Sequence, residues 1–545
     1  MVKKSHDSSD KEVTTAISRR TFSAGASLAT AALPGASSAA SSAAAPGVLA
    51  KGSAPKAPFD SVRDYMAAME AQGLVRHFDA IDQDAYEGTA IMYRMVDRYG
   101  VYEAPLLVFD KVKIGGRWIK GPVVANRLRH LDAEAILFGL DPVPNNPIGS
   151  YHRAFDHLTA ILDANNGNYP TIDPNVVERD AAPCKEVVLE GDDINILDFP
   201  FFKNNPAEPD RFINTASIFT HDPDQGLNFG TYRCQLKGPR HISVGAGDGQ
   251  TGYNMLMAAK ARGETHVPLT MIMGQDPITW LISGSRVANR IGKKPVNELA
   301  IAGGLRGKAL DVVKCETNDF MVPAHTEMVI EGIIDLRAPD PNGPYAEGSG
   351  YVGGVYEEAF NMTVTRITHR KDPWIVNDFT GVSRPMIEAP STALQTWQLK
   401  KIFPAVTGYR YVDSLVYIQV KKTKPGEALE IGKKLASIVP VFKIIVMVDD
   451  DLDLMKANEM FAALSTRWQP HPASYIFTER METMPLEPSA PARGETTKMV
   501  IDATRQMPEE GGPANFPSYS RNVFVDTAGD MLDLVDKKWA KQIYG

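Results

Sequence analysis

The 545-residue chain carries 58 Lys and Arg against 66 Asp and Glu, a net charge of −8 with no long run of either sign, so it offers no basic footprint for nucleic acid. Its three cysteines, Cys184, Cys234 and Cys315, are odd in number and widely spaced with no C-x-x-C pair, which excludes a disulfide framework and a cysteine zinc site. At roughly 100–200 residues per domain the length calls for about two to four domains, and no run of about 18 apolar residues is present to span a membrane.

In chain order, Ser18-Arg19-Arg20-Thr21-Phe22 follows a polar, basic start and precedes an Ala/Ser/Gly-rich stretch at 23–46. Residues 1–45 thus read as a low-complexity segment that resembles a twin-arginine signal, implying export of a folded protein to the periplasm by the twin-arginine machinery. A disordered tail on a cytoplasmic protein is the alternative. Val62, Tyr65, Met66 and Met69 then recur at helical spacing from Ser61 to Gly73, a capped amphipathic helix opening an α/β domain over 56–175. Asn165-Asn166-Gly167-Asn168 and the Pro-rich stretch 170–183 predict a linker. Over 176–370 short β-like runs dominate, among them Val187 to Leu189, Ile213 to Phe219, Tyr232 to Leu236, His241 to Val244 and Leu269 to Met273. From 371 to 545 helical patterns return at 391–402 and 426–438, with a β-branched run at Lys443 to Val448, predicting a third, α/β domain and a Pro-rich tail. The fold class is α+β and multidomain.

Gly247-x-Gly249-x-x-Gly252 lies between a predicted strand and a predicted helix, with Asp276 further on, and imitates a dinucleotide-binding fingerprint. No other βαβ pattern surrounds it, and simple turn chemistry is the better reading; an NAD-dependent oxidoreductase is kept as an alternative.

A stronger constellation joins Asn228-Phe229-Gly230-Thr231-Tyr232-Arg233, Glu298 ahead of Gly303-Gly304, and Asn342-Gly343-Pro344-Tyr345-Ala346-Glu347. With Val313 to Asp319, Val322-Pro323-Ala324, Ser465-Thr466-Arg467 and Lys498 to Ala503, it resembles the UbiD family of prenylated-FMN-dependent decarboxylases across about 59–540. The resemblance implies a split-barrel-like central flavin-binding domain, a C-terminal oligomerisation domain and a homo-oligomer. It also implies non-oxidative decarboxylation of an aromatic or α,β-unsaturated acid, with a flavin prenyltransferase supplying the cofactor.

Carried over residue by residue, the resemblance makes Asn228 and Glu298 ligands of a divalent metal, Mn²⁺ or Mg²⁺, with K⁺ beside it, a chemistry that suits oxygen donors and phosphate. A third ligand, a His in the family, has no counterpart; Asp248 or Gln250 stands there. Thr231, Tyr232, Arg233, Gln250 and Lys498 are the implied cofactor contacts, with Ser283 and Ser285 near them. Arg233 would orient the substrate carboxylate and Glu347 would be the proton donor, while Asn342 replaces the first acid of the family's pair. A flavin-binding protein without decarboxylase activity is the rival reading. Phe379, Pro385, Met386 and Trp397 are expected to line the substrate pocket.

Overall fold

The computed structural model describes residues 54–285, 297–383, 387–412, 414–483 and 487–544. The twin-arginine segment and the expected pocket residues Pro385 and Met386 lie outside the described residues.

The opening helix forms as its sequence dictates. Ser61 caps Val62–Ala71 by accepting from the Asp64 N–H, and Val62, Tyr65, Met66 and Met69 are buried. Its polar side is tied to the central sheet, where Arg63 donates to both oxygens of the buried Glu327 at 2.8 and 2.7 Å. Beyond it, Val75–Phe78 runs parallel to Leu106–Ile114, which pairs antiparallel with Arg117–Ala125. The next strand of this sheet is Ile375–Asn377, parallel to Arg117–Ala125. The chain therefore returns to the N-terminal sheet after traversing the central one, and a boundary at 370/371 falls just ahead of the strand that rejoins it. Hydrophobic pattern along the chain does not show which sheet a three-residue strand will join.

The central sheet has nine strands, and all its pairings are antiparallel. Gly226–Thr231 ends the strand order on one side, while Arg233–Gly238 lies next to the last strand on the other. Only Tyr232 separates these two strands in sequence, so the sheet must curl until its two sides meet. This seam is the split-barrel character, and it brings Asn228, Thr231, Tyr232 and Arg233 to one place. The same topology disposes of the dinucleotide reading: His241–Gly245 is antiparallel to both its neighbours, so no βαβ unit carries the glycines.

Helix Ala389–Ile402 packs on Pro147–Ala164 and leads into a five-stranded sheet beginning at Val406–Val412. The inner strands Leu415–Val420, Ile444–Asp449 and Glu495–Asp502 are parallel, with separate apolar clusters on the two faces. Arg467, at the end of helix Ala457–Thr466, binds Asp449 at 2.6 Å and Asp451 at 2.7 Å, neutralising the acidic end of the central strand. The tail is helical at Ser520–Ala528 and Asp530–Tyr544. No described helix is long and apolar enough to cross a membrane.

Candidate active site

Asn228 stands on Gly226–Thr231 opposite Thr220. Its amide nitrogen donates to Thr220 Oγ1 at 3.0 Å and to the Tyr232 hydroxyl at 3.3 Å, which leaves the carbonyl oxygen for another partner. Tyr232 is buried, and its hydroxyl also accepts from the Gly252 N–H at 2.9 Å. A Cβ on Gly230 or Gly252 would stand 2.5 Å from that oxygen, so these glycines make room for the phenol rather than for a pyrophosphate. Burial raises the Tyr232 phenol above its ordinary pKa. Tyr232, expected among the cofactor contacts, thus orients Asn228 from within the protein.

Glu298 opens helix Glu298–Arg306 behind the cap Asn297. Its Oε2 accepts from the Phe229 N–H at 2.7 Å, bringing the carboxylate alongside Asn228. Two oxygen donors from two elements fit a hard cation that completes its shell with phosphate or water oxygens. Among the described residues no group of three or more His, Cys, Asp or Glu could hold a metal. Gln250 is exposed and folds back to accept from the Gly247 N–H at 2.6 Å. His241 pairs with Asp340 at 3.0 Å. Thr231 reaches Ser283 Oγ at 3.0 Å, close to the end of helix Pro277–Gly284.

Across the seam, Arg233 is 9% exposed and almost fully engaged. Nε donates to Asn342 Oδ1 at 2.8 Å, Nη2 to the carbonyls of Asn342 at 2.9 Å and Gly354 at 3.2 Å, and Nη1 to Glu347 Oε1. These bonds use four of five N–H donors; the remaining one belongs to Nη1, the nitrogen beside Glu347. Asn342 is fully buried and its Nδ2 donates to the Ser243 carbonyl at 2.8 Å. Its amide is committed to holding Arg233 and does not face a substrate. Burial raises the Glu347 pKa above the ordinary carboxylate value, outweighing the opposing charge and hydrogen bond of Arg233. The result is a partly exposed acid that keeps its proton better than a free one, beside a fixed cation.

Three sequence expectations do not reach this place. Lys498 is buried and its ammonium donates to the carbonyls of Ala436, Val439 and Pro440 at 2.9, 3.0 and 3.0 Å, closing the C-terminal end of helix Glu427–Ile438. In this geometry all three of its donors are occupied, so it offers none to a phosphate. Phe379 is fully buried in an aromatic cluster with Phe109 and Phe202, and Trp397 donates to Asp163 on Pro147–Ala164. Tyr345, part of the motif but with no role read from it, and Tyr356, outside it, have rings 5.2 and 4.0 Å from the Arg233 guanidinium carbon. Glu208 was also missed; it is buried and accepts from the Ala346 N–H at 3.4 Å, next to Glu347.

Residues 175–383 match the 3-octaprenyl-4-hydroxybenzoate carboxy-lyase Rift-related domain, and residues 385–503 the C-terminal domain of the same carboxy-lyase. A phenolic acid decarboxylase of Sedimentibacter hydroxybenzoicus is 29% identical over 474 residues, covering 84% of this chain and 93% of its own. Another, from Escherichia coli O157:H7, is 27% identical over 506 residues, covering 89% and 98%. Among solved structures, the vanillic acid decarboxylase of Sedimentibacter hydroxybenzoicus in open form superposes with a TM-score of 0.74 at 26% identity, over 88% of this chain and 100% of that one. An evolved dimeric form of the UbiD-class enzyme HmfF from Pelotomaculum thermopropionicum in complex with prFMN shares the fold, with a TM-score of 0.68 at 23% identity over 87% of this chain and 100% of that one. With both domains of one family in order along it, and a curled central sheet that brings the motif residues together, the chain belongs to the UbiD family of carboxy-lyases.

Proposed function

We propose that this protein is a non-oxidative decarboxylase of an aromatic acid, phenolic acids being the first class to test because the similar curated proteins are phenolic acid decarboxylases. The observation that carries the reading is the Arg233–Glu347 pair, a buried cation with one donor left beside an acid whose pKa burial raises. Arg233 binds and orients the substrate carboxylate through Nη1. Glu347 delivers its proton to the ring or alkene carbon that CO₂ leaves, and the aromatic rings of Tyr345 and Tyr356 help exclude water from that transfer. Prenylated FMN, when bound, supplies the electron sink for loss of CO₂. Asn228 and Glu298 would hold the divalent metal that secures the flavin phosphate, and K⁺ belongs to the same reading.

The test is production alongside a flavin prenyltransferase, with CO₂ release measured over phenolic, other aromatic and α,β-unsaturated acids. Release from at least one phenolic acid is expected, and Glu347→Gln should lower turnover by about 100-fold or more while flavin absorbance is retained. Bound flavin with no CO₂ from any acid would overturn the decarboxylase reading in favour of a flavin-binding protein.

Export to the periplasm is proposed on the Arg19-Arg20 pair ahead of its weakly apolar stretch. With both replaced by Lys, the protein should remain inside the cell at full length; processed protein in the periplasm of that strain would refute the export route.

A further inference from the structure

The hydrogen bonds of Arg233 hold the guanidinium by its edge, and what restrains it perpendicular to its plane is aromatic. Tyr356 is fixed for that task by its backbone: its N–H donates to the Asn342 carbonyl at 2.8 Å, and the Asn342 N–H donates to the Tyr356 carbonyl at 3.0 Å. The residue that accepts from Arg233 Nε is thus paired through its main chain with the residue whose ring lies 4.0 Å from the same guanidinium. A second guanidinium also lies over that ring, the Arg493 carbon standing 5.4 Å from its centroid.

Arg493 comes from the C-terminal sheet, on the connection between Ser474–Glu482 and Glu495–Asp502. The Glu495 N–H donates to the Ala492 carbonyl at 3.0 Å, making a tight turn with Arg493 at its tip. Gly494 follows at φ +76°, the left-handed conformation such a turn calls for, and its carbonyl accepts from the Thr483 N–H at 2.9 Å. The turn is therefore anchored to its own sheet, and Arg493, exposed, reaches from it to the Tyr356 ring. A ring face attracts a cation, so two guanidiniums can share one tyrosine that would otherwise leave them to repel each other.

We infer that Tyr356 is a positioning residue for Arg233, and that Arg493 couples that position to the seating of the C-terminal sheet. The inference rests on the decarboxylase reading for its kinetic consequences but not for its structural one. When the turn at 492–495 is docked, Arg493 holds the Tyr356 ring and Tyr356 holds the plane of Arg233, aiming the free Nη1 donor. When the turn lifts, the ring loses one of its two cations and the guanidinium loses its backing.

The experiment uses the full chain. Tyr356→Phe, which keeps the ring, should stay within about twofold of the parent, whereas Tyr356→Leu should lower kcat by about tenfold with a smaller change in KM. Arg493→Ala should lower kcat by about three- to fivefold, and Arg493→Lys should recover most of that loss. Added to Tyr356→Leu, Arg493→Ala should do nothing further, because its effect passes through the ring. Independently of turnover, trypsin should cleave after Arg493 several-fold faster in Tyr356→Leu than in the parent, with other cleavage sites unchanged. Fully multiplicative effects in the double variant, or cleavage after Arg493 indifferent to Tyr356, would overturn the coupling. Absence of CO₂ release in every protein, with the cleavage difference present, would instead overturn the function and leave the docking standing.

Discussion

At position 342 an amide stands where the family pattern has a carboxylate, and the structure shows what that exchange does to Arg233. Asn342 accepts from Nε and donates to the Ser243 carbonyl, so it fixes the guanidinium without adding negative charge beside Glu347. Glu347 then faces one cation and no second anion, which by itself lowers its pKa; burial reverses the sign and leaves it raised. A proton donor is active in its protonated form, so kcat should fall as pH rises through this raised value. A Cβ on Gly245 would stand 3.1 Å from Asn342 Cγ and 2.9 Å from Arg233 Cγ, so the side chain at 342 is closely confined and the isosteric Asn342→Asp is the informative change. That variant should shift the falling limb of the kcat profile upward by about one pH unit; a limb that stays put or moves down would show that Glu347 is not the group being read. Arg233, Glu347 and Asn342 were legible because their spacing is a motif. Tyr356 and Arg493 were not, because cation–ring contacts arise where the segment paired with Asn342 and a distant turn meet, and no local pattern encodes that meeting. Lys498 misled because sequence shows a lysine in a familiar run but not the three helix-end carbonyls that occupy it.

Elements with a strong period were readable, and their attachments were not. The helix expected at 391–402 spans Ala389–Ile402, and the strand expected at Lys443 to Val448 spans Ile444–Asp449. Hidden in the sequence was what starts the first of these: Glu134, buried on Leu131–Leu137, accepts from the N–H groups of Glu388 and Ala389 at 2.6 and 3.3 Å. This helix links the body to the C-terminal sheet, so its cap matters to both. Burial, reinforced by the neighbouring Glu388 charge, pushes the Glu134 carboxyl up from 4.5 to about 8 in spite of these bonds. A group that holds its proton more tightly folded than unfolded gives its full contribution below its unfolded pKa and loses it as pH rises through the folded one. Glu134 should therefore cost the fold on the order of a few kcal/mol between about pH 4.5 and pH 8. Glu134→Gln removes the titration while keeping one acceptor for the helix start. The difference in denaturation midpoint between pH 5 and pH 8 should be clearly smaller in the variant; an equal difference in the two proteins would place the pH dependence elsewhere.

At the scale of the whole molecule, the apolar surface that the fold leaves uncovered is concentrated at the end of the chain. In the C-terminal domain, Glu427–Ile438 turns Ala428, Ile431, Gly432, Leu435 and Ala436 inward and leaves Ile438 outside. The last two helices do the opposite. Ser520–Ala528 buries none of its residues, and Val523, Phe524 and Val525 are exposed. On Asp530–Tyr544 the same holds for Met531, Leu532, Leu534, Val535, Trp539 and Ile543, each between 37% and 52% exposed. Helices of this length are marginal in water without an apolar face packed on something, and a cluster of this many large side chains marks an interaction surface. A tie to the rest of the chain is polar, Asn522 donating to the Asp451 carbonyl at 3.2 Å. A second copy of the chain is the occupant we propose, each copy's terminal helices covering apolar surface on the other. Light scattering on the full chain should give a mass that is a multiple of the protomer, and removal of residues 520–545 should reduce it, with the flavin spectrum of the loaded protein unchanged because the site lies in the central sheet. A monomeric full chain, or a truncated chain that assembles as before, would assign these helices to another partner.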